Sequence, residues 1–205
     1  QKNKHRTEQE SLWAGNFGDC YVDRNTTGRL LGPKKAMWSR ILCSMKNISS
    51  IRELGCNIGI NLQALHSLQP NLELYGNEIN HKAVDQARAL NIAEIAHGSI
   101  VEKLDMTPVD CVFTAGVLIH INPAYLANVY RNLVYGSNRY VLLAEYYSAT
   151  PVKLEYRGQR NALYKRDFAG ELIENFDLKL IDYGFIYHRD RFAPQDDMHW
   201  FLLEK

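Results

Sequence analysis

The pattern that most constrains the fold is a pair of glycines, Gly55 and Gly59, directly after an apolar run. The run Ile48–Leu54 precedes them and an amphipathic stretch begins at Ile60, which is the order of strand, tight turn and helix in a βαβ unit. Gly55 can adopt a backbone conformation that other residues avoid, and Gly59 lets the helix pack closely on the sheet. Because the N-terminus of such a helix offers free N–H groups, the sequence predicts a nucleotide-binding turn.

An acidic residue completes this pattern. Glu78 lies at the end of the next apolar run, 23 residues after Gly55, where a carboxylate can accept hydrogen bonds from both ribose hydroxyls of an adenosine. The dinucleotide fingerprint G-x-G-x-x-G fits poorly, because Asn57 and Ile60 occupy its second and third glycine positions. The spacing therefore favours another adenosine cofactor over NAD. A purely structural turn between strand and helix is the alternative.

Length and composition favour one well-buried α/β domain. The chain has 205 residues, of which 46% are hydrophobic and 23% charged, and its formal net charge is +1. This length suits one domain and is short for two. The small net charge, without a long basic run, argues against a nucleic-acid partner. A polar start and the lack of any run of about 18 apolar residues predict no membrane partner and a cytoplasmic protein.

No metal site is predicted. The four cysteines show no C-x-x-C spacing, so reduced thiols are expected and a zinc site is not. They are Cys20, Cys43, Cys56 and Cys111. A late group of possible ligands is the alternative, but its spacing matches no metal signature and a charged hairpin tip has the same composition. This group comprises His188, Asp190, Asp196, Asp197 and His199.

Seven apolar runs alternate with helical patterns along most of the chain. They predict strands near residues 48–54, 72–76, 92–96, 109–117, 139–144, 178–187 and 198–203. Only about ten residues, including Pro194, separate the last two runs, so these strands should form an antiparallel hairpin. Helices are predicted from Pro33 to about residue 45, from Ile60 to Leu68, from Asn122 or Pro123 to Gly136, and from Asp167 to Phe176.

The segment Glu53–Gly59 resembles motif I of class I S-adenosylmethionine (SAM) methyltransferases, E/D-x-G-x-G-x-G, with Asn57 in place of the middle glycine. Asn tolerates a left-handed conformation better than other non-glycine residues. Motifs along nearly the whole chain resemble the pseudaminic acid biosynthesis-associated methylases. They are Trp13–Gly15, Phe17–Asp19, Arg24–Asn25, Glu53–Gly59, Gly116–Pro123, Glu145–Tyr147, Tyr156–Gly158, Lys165–Gly170, Gln195–Asp197 and Trp200–Lys205.

This resemblance implies a Rossmann-like α/β fold with a mostly parallel seven-stranded sheet and an antiparallel last strand. Residues 1–46 would form a helical N-terminal lid, and residues 47–205 the SAM-binding core. The implied function is methyl transfer from SAM to an oxygen or nitrogen atom of a small polar acceptor that is anionic or sugar-derived. A SAM- or sugar-binding module without turnover is the alternative, and an NAD-type oxidoreductase is disfavoured. The sequence leaves the oligomeric state open.

The resemblance also implies the cofactor site. Glu78 would bind the ribose, Ile79 would pack on the adenine, and Ser99 would stand where the superfamily often has an aspartate that contacts the adenine amino group. Tyr21, chosen over Trp13 and Phe17, would place an aromatic face near the sulfonium. The complete predicted cofactor set is Tyr21, Glu53, Gly55, Cys56, Asn57, Gly59, Glu78, Ile79, Ser99, Ala115 and Gly116.

Two residues are candidates for catalysis. Histidine as a residue type suits proton transfer near neutral pH, and His120 would face the methyl group in the resembled fold, although a histidine opening a helix is commonly a capping or packing residue. Glu145 could orient the acceptor or act as the base, and a salt bridge is its alternative role. A basic connection near residues 151–168 would select the acceptor, unless it is only a solvated face. The predicted substrate residues are Tyr146, Tyr147, Tyr156, Arg157, Lys165 and Arg166.

Overall fold

A computed structural model describes residues 6–24, 27–156 and 159–205 of the chain. Its strands are β1 Ser50–Leu54, β2 Glu73–Glu78, β3 Glu94–His97, β4 Val109–Ala115, β5 Ser137–Glu145, β6 Val152–Tyr156, β7 Gln159–Lys165, β8 Lys179–Ile186 and β9 Met198–Glu204. Seven of them form one sheet in the order β3-β2-β1-β4-β5-β9-β8. Strand β9 pairs antiparallel with both β5 and β8, whereas the other pairs are parallel. The predicted mostly parallel sheet with an antiparallel last strand is confirmed.

The strand order reverses next to β1. The chain runs outward from β1 through β2 to β3 and then returns to β4 on the other side of β1. In open sheets of this kind, ligands bind in the crevice outside the carboxyl ends of the strands, at the point where the order reverses. The residues that follow β1, β2 and β4 therefore meet at one edge of the sheet.

Helices cover both faces of the sheet. They are α1 Glu8–Ala14, α2 Asn16–Arg24, α3 Thr27–Cys43, α4 Ile60–Leu68, α5 His81–Ala89, α6 Leu126–Tyr135 and α7 Phe168–Phe176, with short 3₁₀ turns at Leu118–His120 and Pro123–Tyr125. The predicted bounds of α4 are confirmed. Asn122 and Asp167 cap helical segments, as their positions in the sequence indicated. Among the described helices, none combines the length and the apolar character that crossing a lipid bilayer requires.

Helix α3 begins earlier than predicted. The sequence placed its start at Pro33, but the helix starts at Thr27 and contains Pro33. Proline lacks the N–H that would bond the carbonyl of Arg29 one turn earlier. Because Arg29 is exposed, water can bond that carbonyl instead. The proline is therefore compatible with the helix interior at this position.

Strands β6 and β7 form a hairpin in the segment where the sequence predicted a connection without strands. Strands β6 and β7 pair antiparallel, with Val152 opposite Lys165 and Leu154 opposite Leu163. Leu163 is buried among side chains of the layer formed by α6 and α7, whereas Val152 and Leu154 are exposed. This uneven burial leaves no regular alternation of apolar and polar residues, so the strands were missed.

Trp38 shows how α3 is fixed to the sheet. Its side chain is fully buried, its ring lies 4.7 Å from that of Phe113 on β4, and its Nε1–H donates to Asn61 Oδ1 on α4 at 3.2 Å. The side chain thus joins α3, α4 and the sheet at a single point. This face of the sheet also buries Ile41 and Leu62.

We expect Trp38→Ala to lower the free energy of unfolding by about 3 to 5 kcal/mol, because it leaves a large cavity and removes the donor to Asn61. Urea unfolding followed by circular dichroism measures this change. Tyr135→Ala is the control, since Tyr135 is 67% exposed, and it should change the free energy of unfolding by less than about 0.5 kcal/mol. Equal effects of the two variants would show that α3 is not part of the folding core.

Candidate functional site

A partly enclosed cavity lies at the carboxyl ends of β1, β2 and β4, under α1 and α2. Both helices and the segments that follow these strands and β3 line it. The lining residues are Thr7, Gln9, Glu10, Trp13, Gly18, Tyr21, Val22, Gly55, Asn57, Glu78, Ile79, Asn80, Gly98, Ser99, Ile100, Val101, Ala115, Gly116, Val117, His120, Ile121 and Asn122. Of the predicted cofactor residues, Tyr21, Gly55, Asn57, Glu78, Ile79, Ser99, Ala115 and Gly116 line this cavity.

The turn after β1 depends on left-handed backbone. Gly55, Asn57 and Gly59 have φ of 80°, 48° and 80°. A Cβ on Gly55 would also lie 2.7 Å from a methyl group of Val117, which packs above the turn. Asn57 takes the left-handed conformation that its side chain tolerates. The departure from the motif at this position therefore leaves the turn intact.

Glu78 holds this turn in place. One carboxylate oxygen accepts a hydrogen bond from the backbone N–H of Asn57 at 2.7 Å, and the other accepts from Ile79 and Asn80 at 2.8 and 2.9 Å. Burial raises the pKa of Glu78, while these three backbone donors act in the opposite direction. An ionised carboxylate has about four lone-pair sites, so the group keeps acceptor capacity for a ligand in the cavity.

Helices α1 and α2 cover the cavity with aromatic rings. The ring of Trp13 lies 5.2 Å from that of Tyr21 and 4.7 Å from that of His120. Asn80, which caps α5, donates through its side chain to the Trp13 carbonyl at 3.1 Å and to Asp19 at 2.9 Å. The covering helices are thus attached to the segment that directly follows Glu78.

The other predicted cofactor residues, Glu53, Cys56 and Gly59, do not line the cavity. Glu53 is 1% exposed and accepts a hydrogen bond from Asn61 at 2.6 Å. Burial raises its pKa to about 8, against the effects of Asn61 and of nearby Lys34. The side chain of Cys56 faces Gly76 on β2, where a Cβ would lie 2.8 Å from its sulfur.

The two predicted catalytic residues are linked through one turn. His120 is 8% exposed, lines the cavity and ends the 3₁₀ turn Leu118–His120. Glu145, at the end of β5, accepts hydrogen bonds from the backbone N–H groups of Val117 and Leu118, both at 3.1 Å. Burial raises the pKa of Glu145 to about 7. Glu145 therefore positions the turn that carries His120.

A second, more open groove adjoins the first cavity, and most of the charged side chains that line it are basic. It lies between the start of α1, the turn at Pro123–Tyr125 and the β6–β7 hairpin. Its lining residues are Arg6, Thr7, Glu8, Gln9, Asn122, Pro123, Tyr125, Pro151, Val152, Lys153, Tyr164, Lys165 and Arg166. Thr7, Gln9 and Asn122 line both spaces. The predicted substrate residues Lys165 and Arg166 thus lie beside the cavity.

The other predicted substrate residues lie elsewhere. The Tyr146 ring is 5.2 Å from the Lys165 ammonium, and its hydroxyl donates to Asp196 at 2.9 Å. Tyr147 is 40% exposed and contacts the rings of His199 and Phe201 on β9, outside both spaces. Tyr156 ends β6, and Arg157 lies outside the described residues.

The late group of possible metal ligands lies around the loop between β8 and β9. There the imidazole of His188 and the carboxylate of Asp197 are 2.8 Å apart, and both are exposed. Within the ranges that the structure describes, no three His, Cys, Asp or Glu side chains are arranged to hold a metal ion.

Sequence reasoning missed three polar residues, of which Asn80 and Glu10 line the cavity. Asn80 joins the covering helices to α5, and only its capping position after Glu78 could have indicated it. Glu10 occupies the third position of the α1 capping box, a pattern that predicts a helix start and not a ligand contact. Lys34 lies in α3; desolvation lowers its pKa, while Glu53, Asp196 and Glu145 act in the opposite direction.

The fold is that of class I SAM-dependent methyltransferases. The magnesium protoporphyrin IX methyltransferase from Synechocystis PCC 6803 with bound SAM has a TM-score of 0.69 at 14% identity, over 100% of both chains. The plantazolicin methyltransferase BpumL with S-adenosylhomocysteine has a TM-score of 0.64 at 15% identity, over 96% of this chain and 93% of its own. The methyltransferase domain of bacterial CtHen1 has a TM-score of 0.64 at 15% identity, over 86% of this chain and 100% of its own.

No protein-family model matches the sequence, and no curated protein matches it significantly. The similarity to known proteins is therefore one of structure. At identities of 14% and 15%, these comparisons establish the fold.

The raised pKa of Glu145 predicts how stability depends on pH. A glutamate in the unfolded chain ionises near pH 4.5, but in the folded protein this one ionises near pH 7. Between these values the folded state binds the proton more strongly, so the free energy of unfolding should fall as pH rises from about 5 to about 7. The contribution of Glu145 should be about 2 to 3 kcal/mol.

Glu145→Gln isolates this contribution, because its amide oxygen can still accept from Val117 and Leu118. We expect the variant to gain about 2 to 3 kcal/mol of stability relative to wild type between about pH 5 and about pH 8. Urea unfolding of both proteins across this range measures the difference. A difference that stays constant with pH would contradict the assignment.

Proposed function

We propose that the protein is a SAM-dependent methyltransferase. The observation that carries this proposal is the buried Glu78 carboxylate at the end of β2, which faces the cavity beside the left-handed turn of Gly55–Gly59. At this place in an α/β sheet, the acceptor capacity that remains on the carboxylate suits a ribose hydroxyl. The fold shared with methyltransferases supports SAM among the adenosine cofactors.

The residues that line the cavity would hold SAM. Glu78 would bind the ribose, and the apolar side chain of Ile79 would pack on the adenine. The backbone of Gly55, Asn57 and Gly116, which line the cavity, would face the methionine end. Trp13 and Tyr21 offer aromatic faces, and attraction between a sulfonium and such a ring contributes about 0.5 to 2 kcal/mol.

Methyl transfer from SAM requires little acid–base chemistry from the protein. Bound SAM supplies an electrophilic methyl group, so the enzyme must hold a nucleophile in line with the carbon–sulfur bond and keep water out. The covering helices would exclude water, and His120 would accept a proton from an acceptor that arrives protonated. Glu145 would hold the turn that places His120 against Trp13.

The basic groove supports a small, polar and anionic acceptor. Four cations line it, Arg6, Lys153, Lys165 and Arg166, against the single carboxylate of Glu8. Arg6 and Arg166 already form salt bridges with Glu102 and Glu171, whereas Lys153 and Lys165 form none with the described residues. These two ammonium groups could bind a carboxylate or phosphate.

An oxygen or nitrogen atom of a sugar-derived acceptor would then receive the methyl group. The motif resemblance supports a nonulosonic acid such as pseudaminic acid. We also propose that the protein is cytoplasmic, as the sequence predicts.

Thermal unfolding with S-adenosylhomocysteine tests the cofactor. Ligand at about a hundred times its dissociation constant stabilises by about 2.7 kcal/mol, which should raise the unfolding midpoint by about 5 to 10 °C. NAD at the same concentration should cause no shift. A shift with NAD alone, or with neither ligand, would refute SAM as the cofactor. Binding of S-adenosylhomocysteine without methyl transfer to any of a panel of acidic sugars would favour a binding module.

Lys165→Gln tests the acceptor groove. For an anionic acceptor found in that panel, the variant should raise KM about tenfold, because one charged hydrogen bond is lost, and leave the affinity for S-adenosylhomocysteine within about twofold. Lys179→Gln is the matched control, since Lys179 is exposed on β8 outside the groove. An unchanged acceptor KM in Lys165→Gln would remove the groove from the acceptor site.

A further inference from the structure

Helix α1 places a carboxyl group in the cavity. Glu10 is 7% exposed and lines the space together with Ser99, which follows β3. The Ser99 hydroxyl donates a hydrogen bond to Glu10 Oε1. A side chain of the covering helix therefore reaches the part of the cavity formed by residues 98–101.

The hydrogen bonds of Glu10 leave acceptor capacity on one oxygen. Oε2 accepts from the backbone N–H groups of Arg6 and Thr7, both at 2.9 Å, and from the Thr7 hydroxyl at 3.2 Å. Among the described residues, the only hydrogen-bond donor to Oε1 is the Ser99 hydroxyl. Since a carboxylate oxygen has two lone pairs, Oε1 can accept one more donor from the cavity.

The position of Glu10 indicates which part of a nucleoside it would meet. Glu78 ends β2 and Ile79 follows it, while Gly98 follows β3, the neighbouring strand. The backbone N–H of Gly98 donates to the Glu78 carbonyl at 2.9 Å. If Glu78 binds the ribose, the attached base would extend over Ile79 toward residues 98–101. The edge of that base would then approach Ser99 and Glu10.

We propose that Glu10 accepts a hydrogen bond from the exocyclic amino group of the adenine base and so selects adenine over hypoxanthine. This inference rests on the proposed SAM site. At position 6 of the base, adenine presents an N–H donor, whereas hypoxanthine presents a carbonyl oxygen that a carboxylate would repel. A buried carboxylate is well suited to this choice, because a mismatched partner leaves it without its hydrogen bond.

The same side chain links the base to the covering helix. Glu10 forms the capping box of α1 with Thr7, so the residue that would bind adenine also fixes the start of the helix. A salt bridge between Arg6 and Glu102 is a second attachment of this region, and it lies outside the adenine contact. The two attachments can therefore be removed separately.

The experiment compares S-adenosylhomocysteine with S-inosylhomocysteine, which carries hypoxanthine, by isothermal titration calorimetry. Wild type should bind the adenine compound at least about tenfold more tightly, the effect of one charged hydrogen bond. Glu10→Gln keeps an acceptor for the capping box but can donate to the hypoxanthine carbonyl, so its preference should fall below about threefold or reverse. Arg6→Gln is the control for loosening of α1, and it should weaken both compounds equally.

Each outcome has a distinct meaning. A Glu10→Gln variant that keeps the wild-type preference, whether or not both compounds bind more weakly, would show that Glu10 only holds α1 and would overturn the proposal. Loss of preference in Arg6→Gln as well would assign selectivity to the order of the helix and not to the carboxylate. Failure of wild type to bind S-adenosylhomocysteine at all would instead refute the proposed cofactor.

Discussion

The Glu78 carboxylate is the group on which the cavity depends. It joins the backbone of Asn57, after β1, to that of Ile79 and Asn80, after β2, and so fixes two neighbouring strand ends relative to each other. Left-handed backbone at a non-glycine residue costs about 1 to 2 kcal/mol, and at Asn57 the hydrogen bond to Glu78 helps to offset that cost. The group that shapes the turn therefore also lines the cavity.

Acidic side chains at the ends of β1 and β5 have a related role, at a cost in stability. Glu53 is held by Asn61, which also bonds Trp38, and Glu145 is held by backbone N–H groups of the turn that leads to His120. In the described structure, one buried oxygen of each carboxyl group has no hydrogen-bond partner. Such groups destabilise a folded protein, and their raised pKa values reflect this. A purely structural sheet edge would not need them, which agrees with a site at this edge.

Features encoded by neighbouring residues could be predicted from the sequence, whereas those created by tertiary packing could not. Gly55 and Gly59 mark the turn directly, and the apolar runs mark the strands of the large sheet. The β6–β7 hairpin was missed because its exposed Leu154 and buried Leu163 obscure the alternation. The contact of Glu10 with Ser99 joins residues 89 positions apart, and no local sequence pattern indicates it. The turn and the strands of the site could therefore be predicted from local patterns, whereas the contact between Glu10 and Ser99 could not.

Helix α1, which covers the cavity, is held by different interactions from helix α3, which packs on the sheet. The buried residues of α1 are Gln9 and Glu10, both polar, whereas α3 anchors itself with the fully buried Trp38 and Ile41. Lifting α1 would break hydrogen bonds that water can replace and the contact of Trp13 with His120, whereas lifting α3 would expose the fully buried Trp38 and Ile41. Segments with few buried apolar contacts open at a low free energy while the core stays folded. We therefore expect a cofactor to enter under α1, since that route leaves the sheet, the turn and Glu78 undisturbed.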